Sequence, residues 1–227
     1  MLGNFDFHEI VLALPFLWQG MKFTIRLTLL AMAGGILFGT LLALMRLSRF
    51  RLLSMLAGGY VNLLRAIPLI LTIFWFYFLV PFIVKWITDN PYVEGVGPFQ
   101  SALIAFIMAE SAYYCEIIRA GIQGVPRDQV NAAHALGLNY FQTTTLIVLP
   151  QAFRKMVPIL LTQAIILFQD TSLVYVVGLT DFLGAADKIA HRDNRLIELY
   201  LFAGVVYFIL CYVASTLVRR LQRRVAV

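Results

Sequence analysis

The sequence predicts an all-α integral membrane protein with five transmembrane helices. Of its 227 residues, 61% are hydrophobic and only 13% are charged, whereas a soluble domain is about half apolar and about a quarter charged. The apolar residues form long continuous runs, close to the length of about 20 residues that crosses a bilayer core. Strands of a membrane barrel would alternate apolar and polar residues, so these runs predict helices.

Five apolar runs define the predicted spans. The first is uncharged from Leu27 to Met45, and the second is uncharged from Ile67 to Val84. The five predicted spans cover residues 22–46, 59–84, 98–120, 156–179 and 196–218. A connection of residues 121–155 separates the third span from the fourth, and residues 1–227 are predicted to form a single transmembrane domain.

The positions of the cations predict that the N-terminus faces outward and the C-terminus faces the cytoplasm. Cytoplasmic loops carry an excess of Lys and Arg. Eleven cations flank one set of span ends: Arg46, Arg49, Arg51, Arg119, Arg127, Arg154, Lys155, Arg219, Arg220, Arg223 and Arg224. Five flank the opposite ends: Lys22, Lys85, Lys188, Arg192 and Arg195. Membrane topology therefore accounts for the net charge of +6, and no nucleic-acid partner is expected.

The connection of residues 121–155, called the coupling segment below, contains helix start and stop signals. Pro126 suits the first position of a helix. Gly137 suits the end of that helix, and Asn139 can cap the next one. These signals predict a short helix, a glycine break and a second helix that leads into the fourth span. A helix of about 11 residues is marginal alone in water, so the short helix needs a docking surface.

The coupling segment resembles the EAA loop of ATP-binding-cassette importer permeases. The family pattern is Glu-Ala-Ala, three residues, Gly, nine residues and Ile-x-Leu-Pro, and every spacing fits here. Asn131 stands where the family often has Glu, so the helix is expected without an ion pair from that position. The resemblance implies a helix that seats in a cleft of a separate ATPase subunit. The residues that carry this coupling are Asn131, Ala132, Ala133, Gly137, Leu149 and Pro150.

Other stretches resemble the permeases of polar amino acid importers, a subfamily in which five spans are typical. The similar stretches are residues 62–68, 111–123 and 169–173. Residues 150–154 and 167–176 are most similar to permeases that import glutamate and aspartate. The resemblance therefore implies a multi-pass protein of the bacterial inner membrane that imports a polar amino acid, with glutamate or aspartate as the expected cargo.

The resemblance also implies the partners of the chain. These are two ATPase subunits, a second permease that is identical or homologous, and a periplasmic substrate-binding protein. No GxxxxGK[ST] phosphate loop occurs, so ATP and Mg are expected on the ATPase, and no cofactor is expected on this chain. Cys115 and Cys211 lie far apart in apolar stretches, so no metal site is expected. The chain is expected to be a transport subunit, without catalytic residues.

Ionisable residues inside spans are costly and indicate function by default. Glu116 and Arg119 are three residues apart and share a helix face, and Arg65 starts the second span from the same side. These three residues are predicted to form a structural charge cluster. Glu110 lies about 18 Å into the third span. It is either a buried partner of Arg65 or a residue that lines the transport pathway.

A polar cluster interrupts the fourth span at Gln169, Asp170, Thr171 and Ser172. It is predicted to stabilise an outer gate or to contact cargo. Asp170 could pair with Arg26 near the outer end of the first span. Gln169 and Ser172 share a face and could donate hydrogen bonds to cargo.

Two readings compete with the importer. An ion-gradient-driven amino acid carrier would need discontinuous spans and usually an internal repeat. An intramembrane enzyme would need a nucleophile or metal cluster, which the sequence does not offer. The GxxxG pattern of Gly35 and Gly39 predicts close packing within the chain rather than dimerisation.

Overall fold

The computed structural model describes residues 7–89 and 95–225. Within these ranges the chain is almost entirely helical and contains no strand. Among the described residues, five helical stretches are long and apolar enough to cross a membrane. The predicted class, an all-α membrane protein with five spans, is confirmed. The candidate spans are Glu9–Leu47, Leu69–Thr88, Pro98–Gln123, Tyr140–Val177 and Leu196–Arg224.

The first helix, α1 (Phe7–Leu47), begins earlier than the predicted residue 22. Its 41 residues give a length of about 60 Å, twice the thickness of the bilayer core. The prediction started the span at the first cation. Lys22, however, lies on the exposed surface of the helix, and its Nζ is 5.9 Å from the centre of the Trp18 ring. The charge therefore does not interrupt the helix.

The predicted second span, residues 59–84, is divided in the structure. Helix α2 (Arg51–Ala66) ends before Ile67, whose backbone is extended with φ −99° and ψ 132°. The residue before a proline avoids the helical region, and Pro68 follows. The membrane span proper starts at Leu69 and comprises α3 (Leu69–Phe74), a π-helical turn (Trp75–Leu79) and α4 (Val80–Thr88).

Helix α5 (Pro98–Gln123) packs along α1, as the GxxxG pattern predicts. A Cβ atom on Gly35 would lie 2.7 Å from the Cβ of Glu110. One on Gly39 would lie 2.8 Å from the Cβ of Tyr114 and 2.9 Å from the backbone oxygen of Ser111. The glycines allow the two helices to approach until backbone meets side chain, which confirms that the pattern serves packing within the chain.

The coupling segment contains the predicted short helix, break and second helix. The short helix is α6 (Arg127–Ala135). After the break come α7 (Tyr140–Gln142), a π-helical turn (Thr143–Val148) and α8 (Leu149–Asp170), which continues as a 3₁₀ helix (Thr171–Val177).

Both π-helical turns have a proline two residues beyond their end. Pro81 follows the turn at Trp75–Leu79, and Pro150 follows the turn at Thr143–Val148. A proline inside a helix lacks the N–H that would bond four residues back, and its ring crowds that carbonyl. Widening the preceding turn to the π form accommodates the ring without ending the helix.

The chain ends with α9 (Phe182–Arg192) and α10 (Leu196–Val225). Helix α9 was not predicted. Asp181 caps it by accepting hydrogen bonds from the N–H groups of Leu183 (3.0 Å) and Gly184 (2.9 Å). The helix closes a core with α1 and α10 in which Leu17, Met21 and Leu199 are buried. It therefore fixes the N-terminal parts of α1 and α10 to each other.

Candidate coupling site and transport pathway

The ends of α6 are set by backbone geometry that its sequence encodes. Pro126 precedes the helix with φ −57° and ψ 136°. Gly137 follows it in the left-handed region, with φ 82°. The N–H of Leu138 donates to the carbonyl of Ala133 at 3.1 Å, the bond expected where a left-handed glycine closes a helix. The break at Gly137 is thus a defined corner.

The next helix starts from an equally defined cap. The side-chain oxygen of Asn139 accepts from the N–H of Gln142 at 2.9 Å, and Gln142 Oε1 accepts from the N–H of Asn139 at 3.0 Å. This reciprocal pair is a capping box. Lys155 Nζ donates to the carbonyl of Gly124 at 2.9 Å, which ties the start of the coupling segment to α8. The segment is therefore connected rigidly to the fourth span.

The coupling residues divide by exposure. Ala133 is buried against the chain, whereas Asn131 and Ala132 are exposed. The corner also exposes large apolar side chains that the sequence analysis did not single out: Leu136 (82% exposed), Tyr140 (76%) and Phe141 (74%). Leu136 follows α6, and Tyr140 and Phe141 lie on α7; these three side chains are called the apolar patch below. Large apolar residues that directly flank a predicted glycine break, in a segment between spans, are the sequence signal that could have identified them.

Leu149 and Pro150 lie apart from that patch, at the first turn of α8. Pro150 follows the π-helical turn, where the hydroxyl of Thr143 is buried without a hydrogen-bond partner. These two residues therefore lie where the backbone passes from the corner at Gly137 into the span.

A charge cluster forms around Glu116, as the sequence predicted for Arg65 and Arg119. Arg119 Nε donates to Glu116 Oε2 at 2.6 Å, and Arg65 Nη1 lies 3.6 Å from Oε1. Arg46, near the end of α1, donates to Oε1 at 2.9 Å. Sequence analysis missed Arg46 because its contact with α5 depends on the packing of distant helices. One carboxylate thus links α1, α2 and α5.

Glu110 is buried in the middle of α5 and does not contact Arg65. Gln163 on α8 donates from Nε2 to Oε1 at 3.1 Å and to Oε2 at 3.3 Å. Of the two alternatives, pairing with Arg65 is excluded because Arg65 approaches Glu116. The hydroxyl of Tyr114, one turn further along α5, is buried without a partner. Glu110, Gln163 and Tyr114 therefore form a buried polar group where α1, α5 and α8 meet. Within it, the Tyr114 hydroxyl has no hydrogen-bond partner among the described residues.

The polar residues of the fourth span occupy the transition from α8 to the 3₁₀ helix. Thr171 is buried, and its hydroxyl donates to the carbonyl of Phe168 at 2.7 Å. Gln169 is exposed, while Asp170 and Ser172 are half-buried. The side chain of Gln169 also hydrogen-bonds Cys211 on α10, whereas the Thr171 hydroxyl bonds within its own helix.

The expected ion pair between Asp170 and Arg26 is absent from the part of the chain that the structure describes. The guanidinium of Arg26 lies over the ring of Phe99, 5.6 Å from its centre. Arg26 is on the exposed face of α1, where a cation–π contact is available without the cost of burial. Among the same described residues, no group of three His, Cys, Asp or Glu side chains could hold a metal ion.

Comparison with known protein families assigns the chain to one of them. Residues 35–227 match the family described as the inner membrane component of binding-protein-dependent transport systems. The chain belongs to this family. It is a permease component of an inner-membrane transporter, and it is not the subunit that hydrolyses ATP. Nothing in the comparisons favours an ion-gradient-driven carrier.

Individual relatives of the permease cover nearly its whole length. It is 50% identical to the glutamate/aspartate import permease protein GltK of Escherichia coli O6:H1, over 98% of this chain and 99% of that protein. It is 33% identical to the L-cystine transport system permease protein TcyB of Bacillus subtilis, over 92% and 86% of the two chains. The glutamine permease GlnP of Escherichia coli K12 is 29% identical, over 99% of each.

Solved structures show the same fold. A crystal structure of an amino acid ABC transporter with histidines superposes on the permease with a TM-score of 0.87 and 29% identity, covering 96% of this chain and 98% of the other. The inward-facing MetNI methionine transporter superposes with a TM-score of 0.67 at 19% identity, over 97% and 99% of the chains. The second likeness concerns the fold alone.

Proposed function

We propose that this permease imports glutamate and aspartate. The observation that carries the cargo assignment is the 50% identity to a glutamate/aspartate import permease over almost the full length of both chains. Identity to the cystine and glutamine permeases is 33% and 29%, so the acidic cargo is favoured by a wide margin over other polar amino acids.

The proposed complex holds two ATPase subunits, which bind ATP and Mg, a second permease and a substrate-binding protein. In it, the single transmembrane domain of residues 1–227 has its N-terminus outside and its coupling segment and C-terminus in the cytoplasm. The apolar patch of Leu136, Tyr140 and Phe141 docks in the ATPase, together with the exposed Asn131 and Ala132. When the ATPases close, α6 moves with them, and the capped corner at Asn139 transmits this movement into α8.

The proposed pathway follows the polar groups of α8 and of the helices beside it. Glu110 on α5 and Gln163 on α8 lie deep in the bundle, Gln169 and Asp170 lie at the C-terminal end of α8, and Ser172 lies in the 3₁₀ helix that follows. A bare carboxylate would repel an acidic cargo. The amide of Gln163 offsets the charge of Glu110 only partly. Because the remaining charge disfavours contact with an acidic cargo, we assign Glu110 to the gate. Gln169 and Ser172, which are uncharged, are assigned to hydrogen bonds with cargo. The Glu116 cluster has a structural role, holding α1, α2 and α5 together beside the coupling segment.

The cargo is tested by uptake in cells that lack their own glutamate import. Expression of the permease with its ATPase and binding protein is expected to restore uptake of labelled glutamate, and unlabelled aspartate is expected to compete. Unlabelled glutamine and cystine serve as matched competitors of other classes. Competition by glutamine equal to that by aspartate would overturn the acidic-cargo assignment, while the permease assignment would stand.

A further inference from the structure

An apolar groove of about 860 Å³ runs along the side of the bundle between α8 and α10. We call it the lateral groove. One face of α10 lines it over its full length, through Phe202, Val206, Leu210, Ala214, Leu217 and Leu221. These residues recur every three or four positions and extend over about 28 Å, close to the thickness of the bilayer core. The lateral groove is therefore about as long as the bilayer core is thick.

The two halves of the lateral groove differ in their walls. Helix α1 lines it only from Leu14 to Ile25, and this part of α1 packs at the level of Leu199 and Ala203, near the start of α10. Beyond that level, toward Leu221, the walls are α8 and α10 alone. This second half is open to the side, and its lining is apolar, with Leu161 on α8 opposite Ala214 and Leu217 on α10.

The open half ends between arginines from both walls. The rings of Phe168 and Tyr207 meet with centres 5.5 Å apart, which sets the register of the antiparallel helices α8 and α10. Arg154 lies fourteen residues before Phe168 on α8, and Leu221 lies fourteen residues after Tyr207 on α10, which is about 21 Å along each helix. Arg154 is therefore level with the end of the groove. It is also seven residues before Leu161, so it lies on the same face of α8 as that lining residue.

Two arginines of α10 complete this basic end. Arg224 is three residues after Leu221 and seven after Leu217, which puts it on the groove face, and Arg220 is three after Leu217. Both are exposed, as is Arg154. In the ranges 7–89 and 95–225, no carboxylate lies within ion-pair distance of these three side chains. The end of an apolar groove thus carries positive charge that the described chain does not neutralise.

We propose that the open half of the lateral groove binds an anionic phospholipid, with one acyl chain along Leu161, Ala214 and Leu217 and the phosphate between Arg154, Arg220 and Arg224. Basic pockets between transmembrane helices bind anionic head groups in this way, and the apolar walls suit an acyl chain. A second copy of the chain related by a two-fold axis along the membrane normal would bring its own arginines to the same end. Repulsion between like charges disfavours that occupant.

The test uses the complex purified through this chain, stripped of lipid and titrated with phosphatidylglycerol or phosphatidylcholine. Native mass spectrometry then counts the bound lipid. Phosphatidylglycerol is expected to bind, and R154Q/R220Q/R224Q is expected to weaken its binding by at least about tenfold, because each basic residue near an anionic head group contributes about fivefold in affinity. The matched control is R219Q, since Arg219 lies two residues before Leu221 and points to the opposite side of α10.

A second variant, A214W, fills the groove and leaves the arginines in place. It is expected to weaken phosphatidylglycerol binding while the permease pair stays assembled. Equal binding of the two lipids, or equal losses in R219Q and the triple variant, would overturn the proposal. Dissociation of the permease pair by A214W, with phosphatidylglycerol binding unchanged, would overturn it in favour of a partner permease as the occupant.

Discussion

Asp181 is a buried carboxylate in the connection between the fourth and fifth candidate spans, outside both. Burial raises the pKa of its carboxyl to about 6, because the loss of hydration outweighs the hydrogen bonds from the Gly184 and Leu183 N–H groups, which lower the pKa. The charged form caps α9, but it is held at a cost in hydration.

We predict that the stability of the permease gains a contribution from Asp181 as the pH falls. With a folded pKa of about 6 against an ordinary value of 3.8, the folded state binds more protons than the unfolded state between these values. This contribution therefore rises as the pH falls from about 7 to 4, by on the order of 2 kcal/mol. The measurement is the thermal unfolding midpoint of wild type and D181N in detergent across that range. D181N is expected to lack the contribution.

The matched variant D181A separates titration from capping. Asn is as good an N-cap as Asp, so D181N is expected to retain α9 at neutral pH. D181A leaves the N–H groups of Leu183 and Gly184 without an acceptor, and we expect it to be less stable than D181N by about 1 kcal/mol. Identical pH profiles for wild type and D181N would contradict the burial of an ionisable carboxyl at this position.

At the scale of elements, the contact between α1 and α5 depends on Gly39. We predict that G39A destabilises the permease by about 1 to 3 kcal/mol, the usual cost of overpacking, because the added Cβ meets the Tyr114 Cβ at 2.8 Å and backbone atoms at 2.9 and 3.0 Å. Thermal unfolding of the purified chain measures this. The matched control is G204A on α10, where a Cβ meets nothing within 4 Å. A destabilisation by G204A as large as that by G39A would show that the close packing is not the cause.

The corner at Gly137 is the second element that a single residue controls. A Cβ there meets nothing within 4 Å, but the backbone has φ 82°, a region that β-branched residues strongly avoid. We predict that G137V reduces transport at least tenfold while membrane insertion is unchanged, because the corner that orients α6 is lost. Uptake of labelled substrate and the amount of chain in the membrane measure the two effects.

The control for Gly137 is G137N, because Asn tolerates the left-handed conformation better than other side chains. It is expected to retain much more transport than G137V. Equal loss in both variants would place the defect in the docking surface, through the bulk of the new side chain, and would contradict the role of backbone geometry.

Elements defined by local signals could be predicted from the sequence, and elements defined by long-range contacts could not. Gly137 and Asn139 act on their immediate neighbours, so the helix, corner and cap of the coupling segment were found. The break at Ile67 was missed although Pro68 signals it, because an apolar run suggested a continuous span. The cap of α9 at Asp181 is a similar local signal that was passed over.

The candidate site shows the same division. Glu116 and Arg119 share a helix face, so their contact follows from spacing alone. Arg46 lies 70 positions from Glu116 along the chain, and Gln163 lies 53 positions from Glu110. Only the packing of α1 and α8 against α5 brings these pairs together. A sequence motif carries no information on such pairs.

At the scale of the whole molecule, the permease is a helical bundle in which the coupling segment is rigidly joined to α8. The capped corner and the bond from Lys155 to the Gly124 carbonyl make this connection. The contact between Gln163 and Glu110 then joins α8 to α5, and the charge cluster around Glu116 joins α5 to α1. We therefore expect a displacement of α6 to reach the helices that carry the proposed pathway.

The most direct test of this coupling is uptake of labelled glutamate by proteoliposomes that contain the permease with its ATPase subunits and binding protein. The account predicts uptake only when ATP is supplied on the side of the coupling segment, and predicts that the same complex carrying G137V takes up little glutamate. Uptake by the permease alone, driven by an ion gradient without ATPase subunits or ATP, would contradict it.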